Sequence, residues 1–176
     1  VNRAIRAITT LKADFTQTQV SPAIFTVNVI DVAGTGSISL TLPAGSAQDY
    51  VGNFNDQGCG PITYSIDQGD FDCVLSRSDP NPTNADTVSY HMVFGKPVVD
   101  GDFDINDLTL GGTAQGKTLA NFTGSGTTFD VDVTGISGSG TVTLTLASDV
   151  AHDEYGNKNN AAGPLPYNID QGPPTV

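Results

Sequence analysis

The residues best able to do chemistry in this chain are its carboxylates. The stretch DGDFDIND holds Asp100, Asp102, Asp104, Asn106 and Asp107 and is the densest acidic cluster. Hard divalent cations need several oxygen ligands at once, and a D-x-D-x-D start offers three carboxylates on alternate residues. The helical calcium loop also requires Gly at its sixth position and Glu at its twelfth. Ile105 and Gly111 stand there instead. Asp100, Asp102 and Asp104 are therefore candidate calcium ligands outside that loop type, or residues of an ordinary turn and strand. A second candidate occurs twice. AQDYVGN and AHDEYGN set Asp49 four residues before Asn53 and Asp153 four before Asn157, with Gly in between. Such a loop can present a carboxylate beside backbone carbonyls to calcium. The same residue types also tie down tight turns unaided, because Asp and Asn bond their own backbone and Gly supplies a positive φ. Asp67 and Asp170 end two matching stretches, and each is a candidate cation ligand or a plain strand end.

Other chemistry finds little support. His91 lies on an alternating strand and His152 in a loop, and neither has a nucleophile at a recognisable spacing. No G-x-S-x-G, no phosphate-cradling glycine loop before a helix and no H-E-x-x-H occurs. A pair of carboxylates can be picked by chance from 19 acidic residues, so no glycosidase reading follows. No catalytic residue is assigned, and the chain is expected not to be an enzyme. With no tryptophan, a platform for stacking sugars rests on Tyr50 and Tyr155 alone. Asn121-Phe122-Thr123 is a formal glycosylation sequon. Cys59 and Cys73 are the only cysteines, and no nearby Cys or His completes four zinc ligands.

These residues must be positioned by strands. The 176 residues suffice for one large or two small domains. Twenty glycines and ten prolines, with abundant Thr and Ser, suit short strands and many turns. The formal net charge of −12 repels nucleic acid and anionic lipid, so neither is an expected partner. No stretch approaches the roughly 20 apolar residues of a membrane helix, and membrane insertion is not expected. Val1 opens without the basic-then-apolar pattern of a signal peptide, an absence of little weight if the chain begins inside a domain.

The strongest organisational signal is an internal repeat. IFTVNVIDVAGTGSISLTLPAGSAQDYVGN returns as TFDVDVTGISGSGTVTLTLASDVAHDEYGN. Phe25 and Phe129, Gly36 and Gly140, Leu42 and Leu146, and Asp49 and Asp153 are each 104 residues apart. After one deletion, Tyr64-Ser65-Ile66-Asp67-Gln68-Gly69 matches Tyr167-Asn168-Ile169-Asp170-Gln171-Gly172 at a spacing of 103. A period near 100 residues fits one small all-β domain rather than a solenoid repeat. In the second copy, Val88, Tyr90, Met92 and Phe94 alternate with Ser89, His91 and Val93, Phe129, Val131 and Val133 with aspartates, and Val142, Leu144 and Leu146 with threonines. Six or seven strands are expected, counting one near Val74-Leu75, with no helix and with two antiparallel sheets packed face to face. The first copy has only the later strands. Matching Phe15 to Phe122 sets Val1 opposite Leu108 and leaves residues 78–107 without counterparts. Three explanations stay open: the segment was cut away, another chain supplies a strand by β-addition, or residues 1–14 have diverged and re-form part of the sheet.

VSYHMVFGKPV, FDINDLTL, LANFTGSGTTFDVDVTGISGSGTVTLTLASDVAHDEYGN and the closing YNID resemble the bacterial immunoglobulin-like repeats of large surface adhesins. The second copy carries nearly all of that pattern, and the first carries its second half. Gly95-Lys96 departs from the Ser-Glu usual in the family turn, which puts no strand in doubt. The resemblance implies an all-β fold of tandem immunoglobulin-like antiparallel β-sandwiches, the first one incomplete at its N-terminus. The corresponding bounds are a partial module over 1–68, a linker over 69–75, a complete module over 76–172 and the start of the next linker over 173–176. It implies secretion or display at the cell surface, and in many members bound calcium. In an exported protein, Cys59 and Cys73 read as one disulfide across the junction, closing a loop of about 15 residues worth roughly 3 kcal/mol. The expected function is a non-catalytic structural or adhesive spacer. Its expected partners are neighbouring modules of the same protein and a surface receptor or glycan. The alternatives are a fibre subunit whose like copies join by strand addition, and a carbohydrate-binding or spacer module of a secreted hydrolase.

Overall fold

Apolar residues at every second position put one face of each segment against a core, and the chain answers with strands throughout. The computed structural model describes residues 6–9, 12–21, 24–49 and 51–173, and side chains from residue 26 onward. Among them there is no α-helix. The chain forms two units, Val1–Gly69 and Asp70–Val176.

The first unit contains β1 (Arg6–Thr9), β2 (Lys12–Ser21), β3 (Ile24–Ala33), β4 (Gly36–Leu42) and β5 (Cys59–Ile66). β1, β4 and β5 form one antiparallel sheet in that order, and β2 and β3 form a two-stranded one. Among the described side chains of this unit only Ile38 is a buried apolar residue, while Ile62 and Tyr64 are 53% and 65% exposed.

The second unit contains β6 (Cys73–Arg77), β7 (Val88–Val98), a single 3-10 turn (Ile105–Asp107), β8 (Leu108–Gly111), β9 (Thr118–Thr134), β10 (Gly140–Leu146) and β11 (Ala162–Ile169). Two three-stranded antiparallel sheets result, ordered β6-β7-β9 and β11-β10-β8. The alternating residues expected to point inward do so: Val88, Tyr90, Met92, Val133, Val142, Leu144 and Leu146 have no exposed surface. The sheets meet through Tyr90 of β7 and Tyr167 of β11, whose rings pack edge-on with centroids 5.0 Å apart. At the other end Phe94, Phe103, Phe122 and Phe129 form an aromatic cluster with centroid spacings of 5.1–5.7 Å.

The repeat is visible in the ladders. β4 pairs with β5 as β10 pairs with β11, Ile38 facing Tyr64 and Val142 facing Tyr167. Each pair carries an irregularity at the same place, between Leu40 and Leu42 and between Leu144 and Leu146. Opposite it stands a Gly-Pro. Gly60 has φ +97° and Gly163 φ +87°, and a side chain on either would come within 2.6 Å of the Leu40 or Leu144 carbonyl oxygen. Only glycine fits both the angle and the space.

Two sequence expectations change here. β1 lies on β4 as β8 lies on β10, with Ala7 opposite Leu40 and Leu110 opposite Leu144. Arg6 therefore stands where Thr109 does, a spacing of 103 and not the 107 that matching Phe15 to Phe122 gives. The early residues re-form a sheet edge, and no strand among the described residues of the first unit takes the place of β6 or β7. The RAIT segment has too little alternation to disclose this. The second change concerns residues 69–75, expected as a linker. Phe71 and Cys73 are buried in the second unit, and β6 begins at Cys73. Residues 174–176 of the expected next linker lie outside the described residues.

Candidate functional site

The loop after β10 is the most highly organised polar structure in the second unit. Asp153 sits at its centre, 4% exposed. Its Oδ1 accepts from the backbone N–H groups of Tyr155 and Asn157, both at 2.9 Å. Its Oδ2 accepts from the Asn157 side-chain amide at 2.7 Å and from Lys96 Nζ at 3.3 Å. Backbone bonds Asp153 N to Asn157 O and Gly156 N to Asp153 O close the turn. Burial opposes the charge on Asp153, but the bonds from Asn157, Tyr155 and Lys96 outweigh it and hold its carboxyl below the usual range. Asp49 repeats the arrangement in the first unit, accepting from Val51 N at 3.0 Å, Asn53 N at 2.8 Å and Asn53 Nδ2 at 2.9 Å. The Asn53 side chain, and then its backbone N–H, lower the Asp49 carboxyl as well.

Two residues of this loop escape sequence reasoning. Asn159, 1% exposed, receives Val150 N and Ala151 N on Oδ1 and donates through Nδ2 to the carbonyls of Ala147 and Asn160. All four of its bonding positions are used. Asn55 does the same work in the first unit, from Ala47 N to the carbonyls of Pro43 and Gln57. The signal was available in the repeated G-N-x-N, where both asparagines recur at 104.

The Asp-Gln-Gly that follows each last strand is a clasp. Asp170 accepts from Gly172 N at 3.1 Å and Ser139 Oγ at 3.4 Å, and Asp67 accepts from Gly69 N at 3.2 Å and Thr35 Oγ1 at 3.3 Å. Gln171 Oε1 accepts from Gly138 N and Gln68 Oε1 from Gly34 N, both at 2.8 Å. Each glutamine thereby holds the end of β5 or β11 to the turn before β4 or β10.

The DGDFDIND residues are divided among separate tasks. Asp104 caps the 3-10 turn, accepting from Asn106 N at 2.6 Å, while Asp107 accepts from Asp104 N at 2.8 Å. Asp102 instead reaches His152, taking its backbone N–H at 2.6 Å and its Nδ1 at 3.0 Å. Asp100 is exposed at the preceding turn. Among the described residues no three His, Cys, Asp or Glu side chains form a group able to hold a metal ion. The nine candidate calcium ligands thus lie in separate loops, and most are occupied as hydrogen-bond acceptors.

His152 Nε2 lies 3.0 Å from Asp149, which also pairs with Lys158 at 2.5 Å. Neutral imidazole has one N–H, so a ring with a carboxylate at each nitrogen favours the doubly protonated form. The bonds to Asp102 and Asp149 raise the His152 pKa accordingly. His91 pairs with Asp130 at 2.7 Å on a partly exposed strand. Neither contact includes a nucleophile. Tyr155 is 67% exposed, and Tyr50 lies outside the described residues.

Both cysteines are free thiols, and no disulfide is formed between Cys59 and Cys73. Cys73 alternates inward with Leu75 on β6 and is 8% exposed in the core of its own unit. Burial pushes its thiol up to about 11. Cys59 is exposed at the start of β5.

The chain matches no family model, no curated protein and no solved structure. The same loop, clasp and bulge are built twice from one sequence pattern.

Proposed function

We propose that the chain is a pair of immunoglobulin-like modules from a non-catalytic spacer or adhesive array, secreted or displayed at the cell surface. The observation that carries this reading is the repeated end of each unit. Asp49, Asn53, Asn55 and Gln68 each repeat a bond made by Asp153, Asn157, Asn159 and Gln171. Duplicated parts that tie a module shut serve mechanical spacing, whereas a catalytic or ligand site needs groups left open to a substrate. The acidic, Thr- and Gly-rich composition and the resemblance to adhesin repeats support an extracellular setting. Neighbouring modules of the same protein are then its first partners, and a receptor or glycan is bound elsewhere in the array. Antibodies raised against the whole chain are expected to label intact producing cells. Labelling that requires lysis would overturn the proposal.

A further inference from the structure

The first unit offers a seat for a strand, and the second unit shows what sits in it. In the second unit β7 lies between β6 and β9. Its inward side chains Val88, Tyr90, Met92 and Phe94 are 0–2% exposed. The Tyr90 hydroxyl lies 3.0 Å from the carbonyl oxygens of Val142 and Leu165, and the Tyr167 hydroxyl donates to Ser89 O at 2.7 Å. On its flank β7 pairs antiparallel with β9, Val88 opposite Val133 and Tyr90 opposite Val131.

The surfaces of β9, β10 and β11 that β7 touches have counterparts in the first unit, whereas β6 has none among that unit's described residues. Val27 and Val29 of β3 stand for Val131 and Val133, Ile38 for Val142, Ile62 for Leu165 and Tyr64 for Tyr167. Tyr167 has no exposed surface, whereas Tyr64 is 65% exposed and Ile62 53%. β3 pairs with β2 on one edge only, because its sheet has two strands. Among the described residues its other edge has no ladder partner, which leaves a row of backbone donors and acceptors there. An unpaired edge beside exposed apolar side chains is the condition for strand addition.

We infer that the outer edge of β3, with Ile62 and Tyr64 of β5, accepts an extended segment of the β7 type. The segment runs antiparallel to β3 and carries apolar, Tyr, apolar and aromatic residues at alternate positions. Its backbone completes the ladder, and its tyrosine packs on Tyr64 as Tyr90 packs on Tyr167. The occupant is an extended segment and not a folded second copy. In a folded copy β7 already has strands on both sides, and its withdrawal would open that copy's own core.

A synthetic peptide with the sequence of residues 86–98 tests this on the whole chain, by amide hydrogen exchange and titration. One peptide is expected to bind per chain and to slow exchange in residues 24–30 by at least about tenfold. The same peptide bearing Tyr90→Asp and Met92→Asp is expected to give no protection. Chain variants Tyr64→Glu and Ile62→Glu, which alter residues already exposed, are each expected to weaken binding by at least about tenfold. Unchanged exchange in residues 24–30 at millimolar peptide would overturn the inference. So would peptide effects confined to β9 and β11, which would mean displacement of β7 in the second unit. Protection of β3 that grows with chain concentration and without peptide would make a second copy the occupant, and would also overturn it.

Discussion

Asp153 keeps a charge almost out of contact with water, and it does so by accepting four hydrogen bonds. Replacing it with alanine leaves two backbone N–H groups and the Asn157 amide without their acceptor. Asp153→Ala is expected to cost the second unit about 2–3 kcal/mol in urea unfolding, and Asp49→Ala to cost the first unit less because Asp49 is exposed. Since these loops close on their own bonds, a chelator is expected to leave both midpoints in place. His152 gives a pH dependence whose sign follows from its raised pKa. Its contribution is complete below the unfolded value of about 6.5 and is lost as pH rises through the higher folded value. The second unit's melting midpoint is expected to fall by roughly 1–4 °C between about pH 6 and pH 9, and His152→Gln to remove that part of the change. At this scale the sequence disclosed which residues matter better than what they do. The repeat marked Asp49 and Asp153, but a carboxylate that ties its own turn has the same residue type and spacing as one that waits for calcium. Asn159 and Gln171 carry no charge to attract notice, although Asn159 is buried with all four bonding positions used and Gln171 ties the end of β11 to the turn before β10.

Among the elements, β7 and β9 carry the core. Phe129 on β9 packs against Phe94, Phe103 and Phe122 with centroids 5.7, 5.1 and 5.7 Å away. Phe129→Ala is expected to destabilise the second unit by about 3–5 kcal/mol and to leave the unfolding of the first unit unmoved. These strands were legible because strict alternation gives the inward face directly: Tyr90, Met92, Val131 and Val133 are all buried as their spacing requires. β6 was only half legible. Its five residues sit among Asp, Gly and Ser, so Phe71 and Cys73 resemble linker residues until their burial is seen. The 3-10 turn at Ile105–Asp107 was hidden for a different reason. Its capping box uses two carboxylates, Asp104 and Asp107, from the same acidic stretch that imitates a cation loop.

For the whole molecule, the two units differ in what they bury. Twenty buried apolar residues form the core of the second, and Ile38 is the buried apolar side chain among those described in the first. Thermal unfolding is expected to show two transitions, the first unit melting at least about 10 °C earlier, as followed by hydrogen exchange along each half. One cooperative transition would contradict this. The two-module division was legible from the repeat alone, whereas the exact alignment of the early residues was not, because β1 takes its place by pairing and not by sequence likeness. The Asp–Asn loop closes on matching bonds in both units, although among the described side chains the first buries one apolar residue and the second twenty. Its shape is therefore written in its own dozen residues and not imposed by what lies beneath. Such a loop is a portable part. Grafted between two strands of an unrelated sheet, it would carry its own stapling with it.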